Sequence, residues 1–288
     1  MSQNYKKLTI IIITYKSDAI IYKFVRKIPK QIQIIVVENS KNFKLKKNLE
    51  KKHKNIKVFL RKNEGVSSSL NYGVKKSKTK YILHLSPDLL VNYKDIDTFF
   101  LYAKKLEDKF SALGPRFLKT KKKGHIQIDK NFKIGKINSI HGSYMFMNKK
   151  IFDKVGGWDK NIFLFFEETD YCYRARKKNL FCYQINSIKT TTVDTTVKIK
   201  NEKIRQNWQR LLRWHFIWSK FYLTKKKFGF IVSLFIFTPI AIRIFFRLAL
   251  YKLTNNTQKL DKYKYRLNGL INSILNKKSF LRIEDIKN

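Results

Sequence analysis

Short runs of β-branched residues alternate with lysine-rich amphipathic stretches over the first ninety positions. Residues 8 to 14 read LTIIIIT and residues 32 to 40 read IQIIVVENS. Both runs are apolar at successive positions, so both predict strands buried on two faces, as in a parallel sheet. IKVFL (56 to 60) and YILHL (81 to 85) repeat the signal, and the segments up to about Lys27, over 41–53 and over 67–78 predict helices between them. Parallel strands need crossover connections, so this alternation predicts an α/β fold with a mostly parallel, Rossmann-like central sheet. Ligands of such sheets bind at the carboxyl ends of the strands.

Beyond residue 90 the pattern becomes mixed. It predicts a helix over 93–107, a strand over 111–117, a basic loop through Gly124, a strand over 140–147 and a short helix. A turn follows at Gly156-Gly157-Trp158-Asp159, then a helix from about Glu168 to Lys178. Residues 210 to 222 read as a further helix rich in Trp and Arg. An apolar run of 15 residues, Phe228 to Ile242, ends at Arg243. That run is short for a membrane span and carries Pro239, while Arg243 and Arg247 would be costly within hydrocarbon. The expectation is an interfacial helix with basic borders, with a full membrane span and a buried core helix as the alternatives. The domain division expected is 1–225 for the α/β domain and 226–288 for a basic, apolar, helical and membrane-associated extension.

Composition narrows the choice of partner. The 288 residues carry 63 Lys+Arg against 20 Asp+Glu, a net charge of +43. Such a balance suggests nucleic acid or an anionic membrane surface. The excess is evenly spread, with 52 basic and 17 acidic residues up to Lys227 and 11 and 3 after it. Evenly spread charge solubilises without specifying a partner, so no nucleic acid is expected. Cys172 and Cys182 have neither disulfide-framework nor zinc spacing. The N-terminus shows no signal h-region, and a cytoplasmic location is expected.

Every predicted strand in the first half ends in polar residues: Thr14 and Tyr15, Glu38 and Asn39, Asn63, and Pro87 with Asp88. No G-x-G-x-x-G and no G-x-x-x-x-G-K-[ST] follows any of them, so a dinucleotide fold or a phosphate loop is not indicated. Asp88 reads either as a turn former or as a carboxylate placed to meet a divalent cation on a diphosphate. Glu167, Glu168 and Asp170 fall at a predicted helix start. They read either as N-terminal caps favoured by the helix dipole or as a general base beside an apolar wall.

Taken in order, TIIIITYKS, IIVVENS, NEGVSSSLNYGVKKSKTKYILHLSPDLLV and GSYMFMNKKIFDKVGGWDKNIFLFFEETDYCYRARKKN resemble the inverting family 2 glycosyltransferases of GT-A fold, closest to the rhamnosyltransferase-like branch. The resemblance covers roughly residues 8 to 222. It implies that Thr14 and Tyr15 line a nucleotide pocket and that Glu38, where the family usually has Asp, contacts base or ribose. Asn63 and Gly65 belong to the loop over the nucleotide, with Asn71 and Gly73 in the helix behind it. Asp159 lies where donor sugar and acceptor meet. Asp88 is the last carboxylate of the metal motif, here Ser86-Pro87-Asp88. The base of the family's E-D pair aligns with Glu168, with Glu167 and Asp170 as alternates, and Arg174 matches the Arg after the acidic run.

Family members often carry a His after the next strand, near the metal. Residues 190 to 199 offer only Asp194, so the cation, Mg²⁺ or Mn²⁺, is expected on Asp88 and Asp194 or mainly on diphosphate oxygens. The function implied is inverting transfer of a sugar from a nucleotide-diphosphate donor to a hydroxyl of a glycan or lipid-linked glycan in cell-surface polysaccharide synthesis. The protein would be peripheral on the inner face of the cell membrane. The alternatives are a non-catalytic nucleotide-sugar-binding protein of the same fold and a basic nucleic-acid-binding protein.

Overall fold

The structure, a computed structural model, describes residues 2–118, 127–192 and 202–286. In chain order its first unit holds α1 (Ser2–Tyr5), β1 (Leu8–Thr14), α2 (Asp18–Val25), β2 (Gln33–Glu38), α3 (Phe43–Lys52), β3 (Ile56–Leu60), α4 (Val66–Lys76) and β4 (Tyr81–Leu85). It continues with α5 (Asp95–Lys105), β5 (Phe110–Phe117), β6 (Ile134–Ile137), β7 (Tyr144–Asn148), α6 (Lys149–Val155), α7 (Glu167–Arg176) and β8 (Phe181–Thr190). The second unit holds α8 (Glu202–Phe228), α9 (Phe230–Leu253) and α10 (Thr257–Ile274). Compactness divides the chain into 1–159 with 167–198, and 160–166 with 199–288. All of α8 falls in the second unit, and the expected boundary at 225/226 lies near the end of that helix.

One eight-stranded sheet runs β3-β2-β1-β4-β7-β5-β8-β6. Its β1 to β4 strands are parallel, as the apolar runs predict; β1, β2 and β4 are covered on both faces, while β3 at the edge exposes Lys57. Alternate residues feed two cores. Ile10, Ile12, Val36, Leu83, Phe99 and Phe146 form one, and Ile11, Val37, Leu70, Val74, Ile82, Met145 and Tyr171 the other. Each fully buried side chain of this size contributes about 1.5–3 kcal/mol. Gly73 lets α4 approach β1 closely, since a Cβ there would lie 2.7 Å from Ile11 Cγ2.

The second half departs from the simple pattern. β7 is antiparallel to both β4 and β5, and β6 is an antiparallel edge on β8. β7 starts at Tyr144 rather than near 140, because the Tyr144 N–H donates to the His141 carbonyl and closes a turn. β8 carries no clear strand signal: FCYQINSIKT mixes polar residues into the run, and its pairing with β5 is interrupted by register shifts.

Within the second unit, α10 packs along α8. Gly269 permits the approach, since a Cβ there would meet the Trp214 carbonyl at 2.6 Å. Trp214 Nε1 donates to Asn268 Oδ1 at 2.8 Å, and Trp218 Nε1 to the Lys277 carbonyl at 3.2 Å. His215 is buried, with Nε2 donating to the Leu281 carbonyl at 2.9 Å and Nδ1 accepting from Ser279 Oγ at 3.0 Å. It is thus a packing residue. Phe163 stacks on its ring, and the Leu164 carbonyl accepts from Ser219 Oγ. α9 buries mainly Ser233, Phe237 and Ile244, and its 24 residues are long and apolar enough to cross a membrane by length and composition.

Candidate functional site

The sequence-predicted residues at the carboxyl ends of β1 and β2 come together. Thr14 pairs with Glu38 in register, and the Asn39 N–H donates to the Thr14 carbonyl at 2.9 Å. Thr14 is buried, and its Oγ1 has no hydrogen-bond partner among the described residues; the same holds for Ser67 Oγ at the start of α4. A buried hydroxyl without a partner costs about 1–3 kcal/mol, so the end of β1 and the start of α4 each hold a hydroxyl with unused bonding capacity. Tyr15 is half-buried, with Lys16 Nζ 5.6 Å from its ring centroid.

Glu38 is buried, and its carboxylate organises the loop after β2. It accepts from Ser40 N at 3.0 Å, Ser40 Oγ at 2.5 Å and Asn42 N at 2.8 Å. Asn39 and Ser69 exchange side-chain bonds at 2.9 and 3.0 Å, joining that loop to α4. Asn63 Oδ1 accepts from Gly65 N at 3.2 Å and shapes the loop before α4. There Gly65 has φ +95°, which an L side chain would find strained. Asn71 spends both ends of its amide on Trp158, donating to the carbonyl at 2.7 Å and accepting the N–H at 2.9 Å.

Asp88 follows β4 in a bend anchored by Ser86 N donating to the Ser143 carbonyl at 2.9 Å. The end of β8 runs beside it, with Leu90 N donating to Thr191 O at 3.0 Å and Thr190 Oγ1 donating to Leu90 O at 2.7 Å. Asp194, expected as a second metal ligand, lies outside the described residues. Among the described residues no group of three His, Cys, Asp or Glu side chains has a metal-holding arrangement. His84, nearby on β4, is turned away: its Nδ1 donates to the Ile11 carbonyl at 3.0 Å, and burial pushes its pKa down to about 4. A single carboxylate fits a hard cation that keeps water and diphosphate oxygens as its other ligands.

α7 begins abruptly. Phe165 and Phe166 both have positive φ, at 71° and 69°, before Glu167 opens the helix. Bulky residues rarely adopt this conformation, and it persists only where surrounding contacts over-determine it; both rings pack on Phe216. Glu167, Glu168 and Asp170 are all buried. Burying three carboxylates costs several kcal/mol each unless partners compensate.

Their surroundings differ. Asp170 accepts from Arg174 Nε at 2.7 Å, an i to i+4 ion pair with the carboxylate fully buried. Glu168 lies against Gly142, where a Cβ would come 3.2 Å from its Oε2. Sequence reasoning includes that glycine in the resembling stretch but gives it no role, and misses its neighbour His141, which stacks on Phe117 and shares a 2.7 Å bond between Nδ1 and Ser143 Oγ. The signal available is a lone His-Gly-Ser before an apolar strand, a pattern too short to stand out. Asp159 follows Trp158, whose indole is buried edge-on to His84.

The model of the family described as glycosyl transferase family 2 matches residues 9–156. Among curated proteins, the low-salt glycan biosynthesis hexosyltransferase Agl10 of Haloferax volcanii is 27% identical over 218 residues, 66% of this chain and 69% of that protein. The dTDP-rhamnosyl transferase RfbF of Shigella flexneri is 26% identical over 185 residues, 58% of this chain and 62% of its own length. Two solved structures share the fold. S. aureus TarS 1-349 in complex with UDP-GlcNAc has a TM-score of 0.54 at 11% identity, covering 94% of this chain and 92% of that one. GalNAc-T7 with UDP, GalNAc and Mn²⁺ has a TM-score of 0.52 at 12% identity; the match covers 65% of this chain and spans 43% of that one.

Proposed function

Because the chain belongs to glycosyl transferase family 2 and is thereby a glycosyltransferase of GT-A fold, we propose that it moves a sugar from a nucleotide-diphosphate donor to a hydroxyl of a glycan or lipid-linked glycan, with inversion, in cell-surface polysaccharide synthesis. The observation that carries this reading is Glu168, a buried carboxylate in the first turn of α7 against the bare backbone of Gly142. In such a place a carboxylate accepts a proton from an acceptor hydroxyl. The oxygen attacks the anomeric carbon from the face opposite the diphosphate, the bond to the leaving oxygen breaks, and its electron pair stays on the diphosphate. Glu168 then releases the proton to water.

Thr14, Tyr15 and the loop shaped by Glu38 and Asn63 would hold the nucleotide, with Thr14 Oγ1 and Ser67 Oγ gaining their missing partners. Asp88 is the residue that would hold a divalent cation, which when bound supplies positive charge to the leaving diphosphate. Mn²⁺ in GalNAc-T7 and UDP-GlcNAc in TarS support the classes of cation and donor. The name of Agl10, a glycan biosynthesis hexosyltransferase, supports a glycan as acceptor, and that of RfbF, a dTDP-rhamnosyl transferase, supports a nucleotide-diphosphate sugar as donor. The apolar, basic-bordered α9 supports an anionic membrane surface as partner.

A thermal-shift panel of UDP-, dTDP- and GDP-sugars, with and without Mg²⁺ or Mn²⁺, tests the reading. A ligand that binds only the folded state raises the melting temperature, and hydrolysis of the responding donor identifies a working enzyme. Binding without hydrolysis or transfer would instead mark a nucleotide-sugar-binding protein. No response to any donor would remove the reading altogether.

A further inference from the structure

The turn that delivers Asp159 is gripped by side chains from two helices of the first unit. From α4, Asn71 clasps the Trp158 peptide at both its carbonyl and its N–H, at 2.7 and 2.9 Å. From α7, Arg174 reaches the same turn with both terminal nitrogens, Nη1 to the Val155 carbonyl at 2.7 Å and Nη2 to the Gly157 carbonyl at 2.6 Å. Its remaining nitrogen, Nε, is fixed at 2.7 Å by Asp170, whose side chain is fully buried.

Four hydrogen bonds thus fall on three peptide units within four residues. The glycines fit the grip: Gly156 and Gly157 have φ +92° and +64°, and a Cβ on Gly157 would come 2.8 Å from Asn71 Oδ1. A charged guanidinium held by a buried carboxylate is a stiffer support than a neutral side chain, because its planar fork loses little freedom on bonding. Breaking it would leave a buried charge uncompensated.

We propose that Asn71 and the Asp170–Arg174 pair are positioning residues for the transfer reaction: they fix the Trp158–Asp159 backbone relative to the turn of α7 that carries Glu168. The inference rests on the reading that Glu168 and Asp159 stand at the reaction centre. It assigns Asp170 to holding the turn rather than to proton transfer, and Asn71 to the peptide of Trp158 rather than to the nucleotide. Glu168 and Asp170 lie in the same helical turn, so the arm that holds the turn and the residue that takes the proton move as one piece. Displacement of a reacting group by about 1 Å can cost on the order of a hundredfold in rate.

The test compares Asn71→Ala, Asn71→Asp and Arg174→Lys in the full-length protein by steady-state kinetics and amide hydrogen exchange. Asn71→Ala removes both bonds to Trp158. Asn71→Asp keeps an acceptor for its N–H but sets an acceptor against its carbonyl. Arg174→Lys keeps a charge for Asp170 but loses the fork, and it replaces the alanine variant as the reading if that one fails to fold.

The expected result is a fall in kcat of roughly tenfold or more for Asn71→Ala and Arg174→Lys, with donor KM changed by less than about twofold and Asn71→Asp intermediate. Exchange should quicken at the amides of residues 156–159 while the sheet keeps its protection. Turnover within about twofold of the parent, or losses of activity that only track the folded fraction, would overturn the assignment. If the parent protein transfers sugar from no donor, the reaction reading falls by itself. The exchange data then decide the grip, with unchanged protection at 156–159 refuting it and local loss supporting it.

Discussion

At the scale of single residues, the carboxylates of the acidic run of α7 have different surroundings. Asp170 is paired with Arg174, while Glu168 packs against the backbone of Gly142. Glu168→Gln keeps shape and removes the proton acceptor, so turnover should fall roughly a hundredfold or more with fold and donor affinity retained. A melting curve and a donor titration run beside the transfer assay check this. Asp170→Asn should differ in lowering the melting temperature along with turnover, since breaking a buried pair costs about 3–5 kcal/mol and loosens the turn that Arg174 holds. An Asp170→Asn variant that melts like the parent would remove the structural role given to that side chain. For Asp88, Asp88→Ala should weaken donor binding and abolish whatever part of the donor thermal shift depends on Mg²⁺ or Mn²⁺; a retained metal-dependent shift would leave Asp88 a turn residue. The sequence puts Glu167, Glu168 and Asp170 together at one helix start but cannot distinguish them, because their burial and partners come from Gly142 and from the turn at 155–158, which are not their neighbours along the chain.

At the scale of elements, what is legible is what local pattern determines. β1 to β4 and the helices between them are readable because continuous β-branched runs and lysine-faced helices specify both type and burial. β6 and β8 are not, because an edge strand of four residues and a strand broken by register shifts take their form from pairing rather than from their own sequence. Two buried imidazoles each clip one element to another: His84 of β4 to Ile11 of β1, and His215 of α8 to Leu281 near the C-terminus. Burial lowers their pKa values to about 4 and about 3 from an ordinary 6.5. In both cases the folded chain resists a proton that the unfolded chain accepts, so the stabilising contribution is complete above pH 6.5 and is lost as pH falls, toward about 4 for His84 and about 3 for His215. The slope for each is about 1.4 kcal/mol per pH unit over that window. Equilibrium urea unfolding between about pH 7 and about pH 4.5 should show this loss, and His84→Gln and His215→Gln should each flatten the dependence. A stability independent of pH over that range would mean that neither imidazole is buried neutral.

At the scale of the whole molecule, the charge of +43 borders exposed apolar surface on α9. On α9, Ile231, Phe235, Ile242, Phe246 and Leu253 are all exposed, at spacings of four and seven residues that place them along one face. Lys225, Lys226 and Lys227 precede the helix, Arg243, Arg247 and Lys252 interrupt it, and no acidic residue lies within it. That combination suits the headgroup boundary of an anionic leaflet, where apolar burial and attraction to lipid charge add. Deleting residues from 226 onward is a poor test, since α10 and Leu281 supply the cover for Trp214, Trp218 and His215 on α8 and their removal would strip that unit of its core. Phe235→Glu with Phe246→Glu is the better one, because both side chains are exposed, at 74% and 66%, and their replacement leaves the packing untouched. In vesicle co-flotation the parent should rise with phosphatidylglycerol-containing liposomes and less with phosphatidylcholine alone. The double variant should stay in the dense fraction with both while its donor-induced thermal shift is unchanged. Flotation of the double variant equal to the parent's would show that this face is not what meets the membrane.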